Sequence, residues 1–162
     1  MATLFELCEN GDLIRFDAGL GVRELDQRHI YLVPKSKEWI ERDLPGLQST
    51  WQIELTPAEQ LDALFYQFCV GKRLVHGDRY KKLDPRERHV WELKTADLRI
   101  FGWFPLIDVF VVCAIHDATR VKKVGLYPGF RDEVVRIRNA MPLDEPKCIE
   151  GNEYDDVLSN CD

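Results

Sequence analysis

The chain has 162 residues, 45% of them apolar and 31% charged. That is room for one domain with small additions and an ordinary composition for a soluble folded protein. No apolar run is long enough to span a bilayer, and collagen-like and fully disordered classes are excluded as well. The net charge of −6 is unevenly spread: residues 1–70 hold 6 Lys and Arg against 12 Asp and Glu, residues 71–141 hold 15 against 9, and residues 142–162 hold 1 against 7. A basic middle between acidic ends suits an anionic partner for that middle; the alternative is chance clustering on a solvated surface.

The first residues, MATLFELCENGDL, show no basic stretch ahead of an apolar one, so no secretory signal is expected. Five cysteines (Cys8, Cys69, Cys113, Cys148, Cys161) lie without C-x-x-C spacing. Reduced thiols and a cytoplasmic setting are expected, rather than a disulfide framework or zinc knuckle.

Along the chain, Leu13–Phe16 is a weak strand candidate and His29–Val33 a better one. A short helix is expected near Ser36–Asp43, stopping before Pro45-Gly46, and Trp51–Leu55 reads as a further strand. Thr56-Pro57-Ala58-Glu59 fits a capping box with Pro at the first helical position. Leu61, Leu64, Phe65 and Phe68 then recur at helical spacing, and Gly71 can supply a left-handed stop to a helix over Thr56–Val70. A basic loop over residues 72–89 follows. Trp91–Lys94, Leu98–Phe104 and Asp108–His116 are rich in aromatic and β-branched residues, with Pro105-Leu106-Ile107 as a hairpin link. A last helix, Phe130–Met141, carries Arg131, Arg136 and Arg138 away from its apolar stripe. The order predicts an α+β fold with an antiparallel sheet packed against helices, in a single domain over residues 1–141. Residues 142–162 read as an acidic tail with little to bury.

Alternation along a strand puts Arg99, Phe101 and Trp103 on one face of Leu98–Phe104. It puts Phe110, Val112, Ala114 and His116 together on one face of the next strand, and Val109, Val111, Cys113 and Ile115 on the other. An arginine in so apolar a strand must find a partner. Either it forms a salt bridge, with Glu92 or Asp97 in reach, or it clamps a phosphate at the rim of a concave sheet, which its forked donors suit. Lys94, His116, Arg120, Lys122, Lys123 and Tyr127 lie where the fold could gather them. The basic loop adds Lys81, Lys82, Arg86 and Arg88, interleaved with His76, Tyr80 and His89, a pattern that suits RNA or a solvated turn. His116 reads either as a polar strand end or as a proton-transfer group. The chain has no phosphate-loop, dinucleotide, nucleophile-elbow or H-E-x-x-H motif, and no metal-ligand spacing. No metal or other cofactor is expected. A metal-independent reaction on a phosphodiester is what the cationic inventory could serve.

The stretch HVWELKTADLRIFGWFPLIDVFVVCAIHDATRVKK, His89–Lys123, resembles the RelE/HigB-like toxins of bacterial type II toxin–antitoxin systems, in particular their phage-derived, phage gene product 49-like branch. The pieces are VWELK, DLRIFGWF, DVFVVCAIHDA, RVKK and FRDEVVRIRNA, and the likeness covers about residues 56–141. It implies a curved antiparallel sheet packed on helices and metal-independent endoribonuclease cleavage of mRNA, often on the ribosome. It also implies a cognate antitoxin, here expected to carry a helix-turn-helix domain. By this likeness Arg99 contacts the scissile phosphate and Lys94 is the basic position on the preceding strand. His116, Arg120, Lys122 and Lys123 fall in the turn that carries basic and proton-transfer residues, and Tyr127 fills an aromatic role there.

The leading expectation is therefore an RNA-binding toxin with ribonuclease activity, in which Arg99, His116, Lys94, Lys122, Lys123 and Tyr127 do the chemistry. Arg120, Lys81, Lys82, Arg86 and Arg88 would hold RNA. The alternative is a non-catalytic phage or mobile-element protein that binds a protein partner through a sheet edge or an aromatic face (Phe101, Trp103, Phe110). A third reading has the tail acids, Asp144, Glu145, Glu150, Glu153, Asp155, Asp156 and Asp162, folding over the basic groove as a nucleic-acid mimic.

Overall fold

The computed structural model describes residues 1–159; Cys161 and Asp162 lie outside the described residues. The helices are α1 (Leu4–Glu9), α2 (Pro34–Arg42), α3 (Pro57–Cys69), α4 (Ala118–Val124), α5 (Tyr127–Ala140) and α6 (Tyr154–Val157). The strands are β1 (Ile14–Arg15), β2 (His29–Leu32), β3 (Tyr80–Lys82), β4 (Trp91–Lys94), β5 (Leu98–Leu106) and β6 (Val109–Asp117). They form one sheet in the order β1-β2-β6-β5-β4-β3. The fold is α+β, but the sheet is mixed rather than antiparallel, because β2 runs parallel to β6. Among the described residues no helix is long and apolar enough to cross a membrane.

Local chemistry sets the elements. Thr56 accepts the Glu59 amide at 3.2 Å and so caps α3, with Pro57 at the first helical position. Gly71 takes the left-handed conformation at its far end, φ 86°. Asp117 caps α4 by accepting the Arg120 amide at 3.0 Å. Trp51–Leu55 forms no strand; Trp51, Ile53 and Leu55 are exposed, and the segment lies outside the sheet.

The sheet is covered on both faces. One face packs Ile100, Phe104, Phe110 and Val112 against Leu61, Leu64, Phe65 and Phe68 of α3 and against Tyr154, Val157 and Leu158. The other packs Phe101, Trp103 and Val111 against Leu7, Val121 and Val134, and so against α1, α4 and α5. The C-terminal segment is therefore core, not a loose tail. Arg28 ties it down, donating to the Ser159 carbonyl at 3.2 Å, the Tyr154 hydroxyl at 3.1 Å and the Lys72 carbonyl at 2.8 Å. Phe101, Trp103 and Phe110 are all fully buried, so they offer no aromatic face to a partner.

One irregularity sets where the polar groups point. Phe101 pairs with Ala114 but Gly102 pairs with Val112, leaving Cys113 as an extra residue in β6. Alternation flips there. Ala114 joins Val111 and Cys113 on the α5 face, and Ile115 joins Phe110 and Val112 on the α3 face. The side-chain faces expected from unbroken alternation are wrong beyond Cys113, and His116 moves to the α5 side.

Gly102 makes this close approach possible. A β-carbon there would sit 1.9 Å from the Val111 carbonyl oxygen and 2.8 Å from the Phe110 ring. Gly102→Ala is expected to lower unfolding stability by at least about 2 kcal/mol, measured by urea denaturation, because backbone must move to admit one methyl group.

Candidate functional site

On the α5 side, two adjacent cross-strand rows carry ionisable residues. Lys81, Glu92, Phe101 and Ala114 form one row across β3–β6; Lys94, Arg99 and His116 form the next across β4–β6. Directly opposed residues share a face of the sheet. The expected neighbours Lys94, Arg99 and His116 thus stand side by side in register.

Above the Lys94 end is an open recess of about 390 Å³. Lys81, Lys94, Lys122 and Arg131 line it, with Asp84, Glu92 and Tyr127. Four cations against two carboxylates make it an anion-attracting hollow. Lys81 and Lys122 have no ion-pair partner among the described residues. Lys94 Nζ donates to the Gly77 carbonyl at 2.7 Å and stands 3.9 Å from Glu92 Oε1. Arg131 is tethered to Asp132 at 3.1 Å and to the Asp84 carbonyl at 3.0 Å.

Glu92 is the residue that sequence reasoning left in a salt-bridge role only. It is 1% exposed, and its Oε2 has no hydrogen-bond partner. Burial pushes its carboxyl above the usual range, and Lys94 and Arg99 pull it back only in part. Burial also lowers the Lys94 ammonium and raises the Tyr127 hydroxyl. That hydroxyl interacts with both Arg99 and Glu92, which act on it in opposite senses. A carboxyl shifted up, an ammonium shifted down and a tyrosine hydroxyl thus line one recess.

Arg99 does not emerge into the recess. It is 4% exposed, and its Nη1 donates to the Thr95 and Leu98 carbonyls at 2.7 and 2.9 Å. Neither expected salt bridge forms. Asp97 is taken by the Gln60 amide at 2.6 Å and the Thr50 backbone at 2.9 Å. Arg99 lies beneath the hollow as a buried charge with its Nε unpartnered.

His116 lines a different recess, with Trp39 and Phe130. Phe130 stacks on Phe101 at 4.8 Å, and Phe101 meets Tyr127 at 5.8 Å, so an aromatic cluster lies alongside the two recesses. Lys123 and Arg120 are exposed on α4 and line neither recess. Lys82 projects to the opposite face. It is buried there, bonding the Gly151 carbonyl, Asn152 Oδ1 at 2.8 Å and His89 at 3.0 Å. Arg86 pairs with Glu153 at 3.6 Å, while the Arg88 carbonyl accepts from Arg138 at 2.8 Å. Arg138 is itself buried, not solvent-facing as its place on the helix suggests. Of the C-terminal acids, Glu153 pairs with Arg86 and Asp155 with Arg73, and neither lines the hollow. Among the described residues no His, Cys, Asp or Glu group is placed to hold a metal ion.

Glu92 carries a pH signature. Its folded pKa lies above 4.5, so the native state holds the proton more tightly than the unfolded chain, and stability falls as pH rises from 4.5 through the folded value. Glu92→Gln removes that slope. The variant is expected to gain on wild type progressively above pH 4.5 in urea titrations, and parallel curves would exclude a raised Glu92 pKa.

Compared with protein-family models, with curated proteins and with solved structures, the chain matches none.

Proposed function

We propose that the chain is a RelE/HigB-like RNA-binding toxin that cleaves mRNA as a metal-independent endoribonuclease, with the cationic hollow as its phosphodiester site. The observation that carries this reading is the grouping of Lys81, Lys94, Lys122 and Arg131 around a buried carboxyl with a raised pKa and a tyrosine hydroxyl. In this reading the cations hold the RNA backbone and stabilise the charge of the pentacoordinate phosphate. Glu92 accepts the ribose 2′-hydroxyl proton as the 2′-oxygen attacks phosphorus. Tyr127 or Lys94 donates a proton to the leaving 5′-oxygen, giving a 2′,3′-cyclic phosphate and a 5′-hydroxyl end. Arg99 is a positioning residue that holds Glu92 and Tyr127 from below. His116 has no part in this step. The partners are mRNA, on the ribosome, and an antitoxin with a helix-turn-helix domain that covers the hollow; the setting is the cytoplasm.

A second reading, a non-catalytic phage or mobile-element protein that holds a protein partner, is favoured by one observation. Phe5 and Leu106 stay exposed around a separate apolar recess of about 350 Å³, and Ile107 is exposed next to them. A ribonuclease is expected to halt growth on expression, whereas a binder need not.

Cleavage of translated mRNA tests the first reading. Glu92→Gln is expected to slow cleavage about 10²–10⁴-fold while RNA affinity persists. Lys94→Ala and Lys122→Ala are each expected to reduce the salt slope of RNA binding by about 1. Equal cleavage by wild type and Glu92→Gln rejects the hollow as the cleavage site, and no cleavage by wild type rejects the ribonuclease.

A further inference from the structure

We infer that the second recess, between α2, β6 and α5, is a binding site for an uncharged nucleobase. The ligand's identity as part of RNA rests on the reading proposed above; the recess itself does not. It measures about 420 Å³, within the range of small-ligand sites. It exists because β2 pairs with β6 only as far as Val112. Beyond that point the edge of β6 is flanked by α2 instead of a strand, and the gap between them stays open toward α5.

Its walls suit a flat ring. Trp39 and Phe130 are both only partly buried and border the space. Phe130 spends one face on Phe101, stacked at 4.8 Å and 9°, leaving its remaining surface for the recess. The His116 ring lies 5.7 Å from it. Apolar ring surface left at a cavity wall is the material on which bases stack.

Its polar groups are unspent. Ser36 is 2% exposed and its hydroxyl has no hydrogen-bond partner. A buried hydroxyl left so is costly and calls for a partner. His116 Nδ1 accepts the Asp117 backbone N–H at 2.8 Å, so the ring proton sits on Nε2. Burial and the nearby Arg120 hold the imidazole below its usual pKa, which keeps it neutral and a donor at Nε2. That Nε2–H has no acceptor among the described residues. A base edge offers both acceptors and donors to this pair.

Its charges are already matched. Lys35 pairs with Glu133 at 2.6 Å and Arg42 pairs with Glu38, while Asp43 adds a third acid. The rim therefore holds no surplus of positive charge for a phosphate, in contrast to the hollow beside Lys94. A neutral heteroaromatic ring fits where an anion does not.

Calorimetric titration of the full chain with adenosine, guanosine, cytidine and uridine, and with inorganic phosphate, tests the assignment. At least one nucleoside is expected to saturate, and phosphate is not expected to displace it. Ser36→Ala is expected to weaken that nucleoside about 3–10-fold, and Trp39→Leu by more than about 10-fold. Lys94→Ala should leave it unchanged. Should Trp39→Leu fail to fold, Ser36→Ala decides, since it removes a hydroxyl bonded to nothing. Absence of nucleoside binding, or binding that neither Ser36→Ala nor Trp39→Leu alters, overturns the assignment even where Lys94→Ala abolishes RNA binding. Nucleoside binding weakened by Ser36→Ala, in a protein that cleaves no mRNA, upholds the site and rejects only the ribonuclease.

Discussion

A carboxylate cannot sit in the interior of a sheet unless nearby groups replace the water it has lost. Glu92 is that carboxylate, and the elements around it are arranged to meet its demand. β4 supplies Lys94 two residues along on the same face, and β5 supplies Arg99 in the neighbouring cross-strand row. α5 supplies the Tyr127 hydroxyl from above. The compensation is incomplete: Glu92 Oε2 and Arg99 Nε both remain without partners.

This constraint also accounts for the position of Arg99. A guanidinium could hold phosphate directly only by leaving the carbonyls of Thr95 and Leu98. Those two bonds close the turn between β4 and β5, so moving Arg99 outward would loosen the strands that carry Glu92. Its positive charge is of more use beneath the hollow, where a low dielectric lets it act on Glu92 and Tyr127 with little screening.

Much of this was legible in the sequence. Thr56, Pro57 and Gly71 announce α3, and the β-branched and aromatic runs announce β4, β5 and β6, because local chemistry alone determines those features. The register that sets Lys94, Arg99 and His116 in one row was not legible. It depends on Cys113 being bulged out against Gly102, and that depends on close packing between β5 and β6 rather than on residue type. The parallel pairing of β2 with β6 is equally non-local. The acidic end looked too polar to fold, yet Leu143, Tyr154, Val157 and Leu158 are spaced so that each reaches an apolar surface built by distant segments. Glu92 was hidden because a lone glutamate in a strand carries no mark of its burial.

Charge counted along the chain could not separate structural cations from free ones, and Lys81 and Lys82 show why. They are adjacent in β3 and so point to opposite faces. Lys82 is consumed: it bonds the C-terminal segment and lies over the Trp91 ring at 5.5 Å, and burial together with Arg86 lowers its pKa. Lys81 faces the recess without an ion-pair partner. The same division runs through the basic segment. Arg86 and Arg138 hold loops and the C-terminal segment in place, whereas Lys81 and Lys122 keep their charge available at the hollow. The acidic C-terminal segment neutralises the structural set on one face of the sheet. Lys81, Lys94, Lys122 and Arg131 line the recess on the other face, where Glu92 and Tyr127 are.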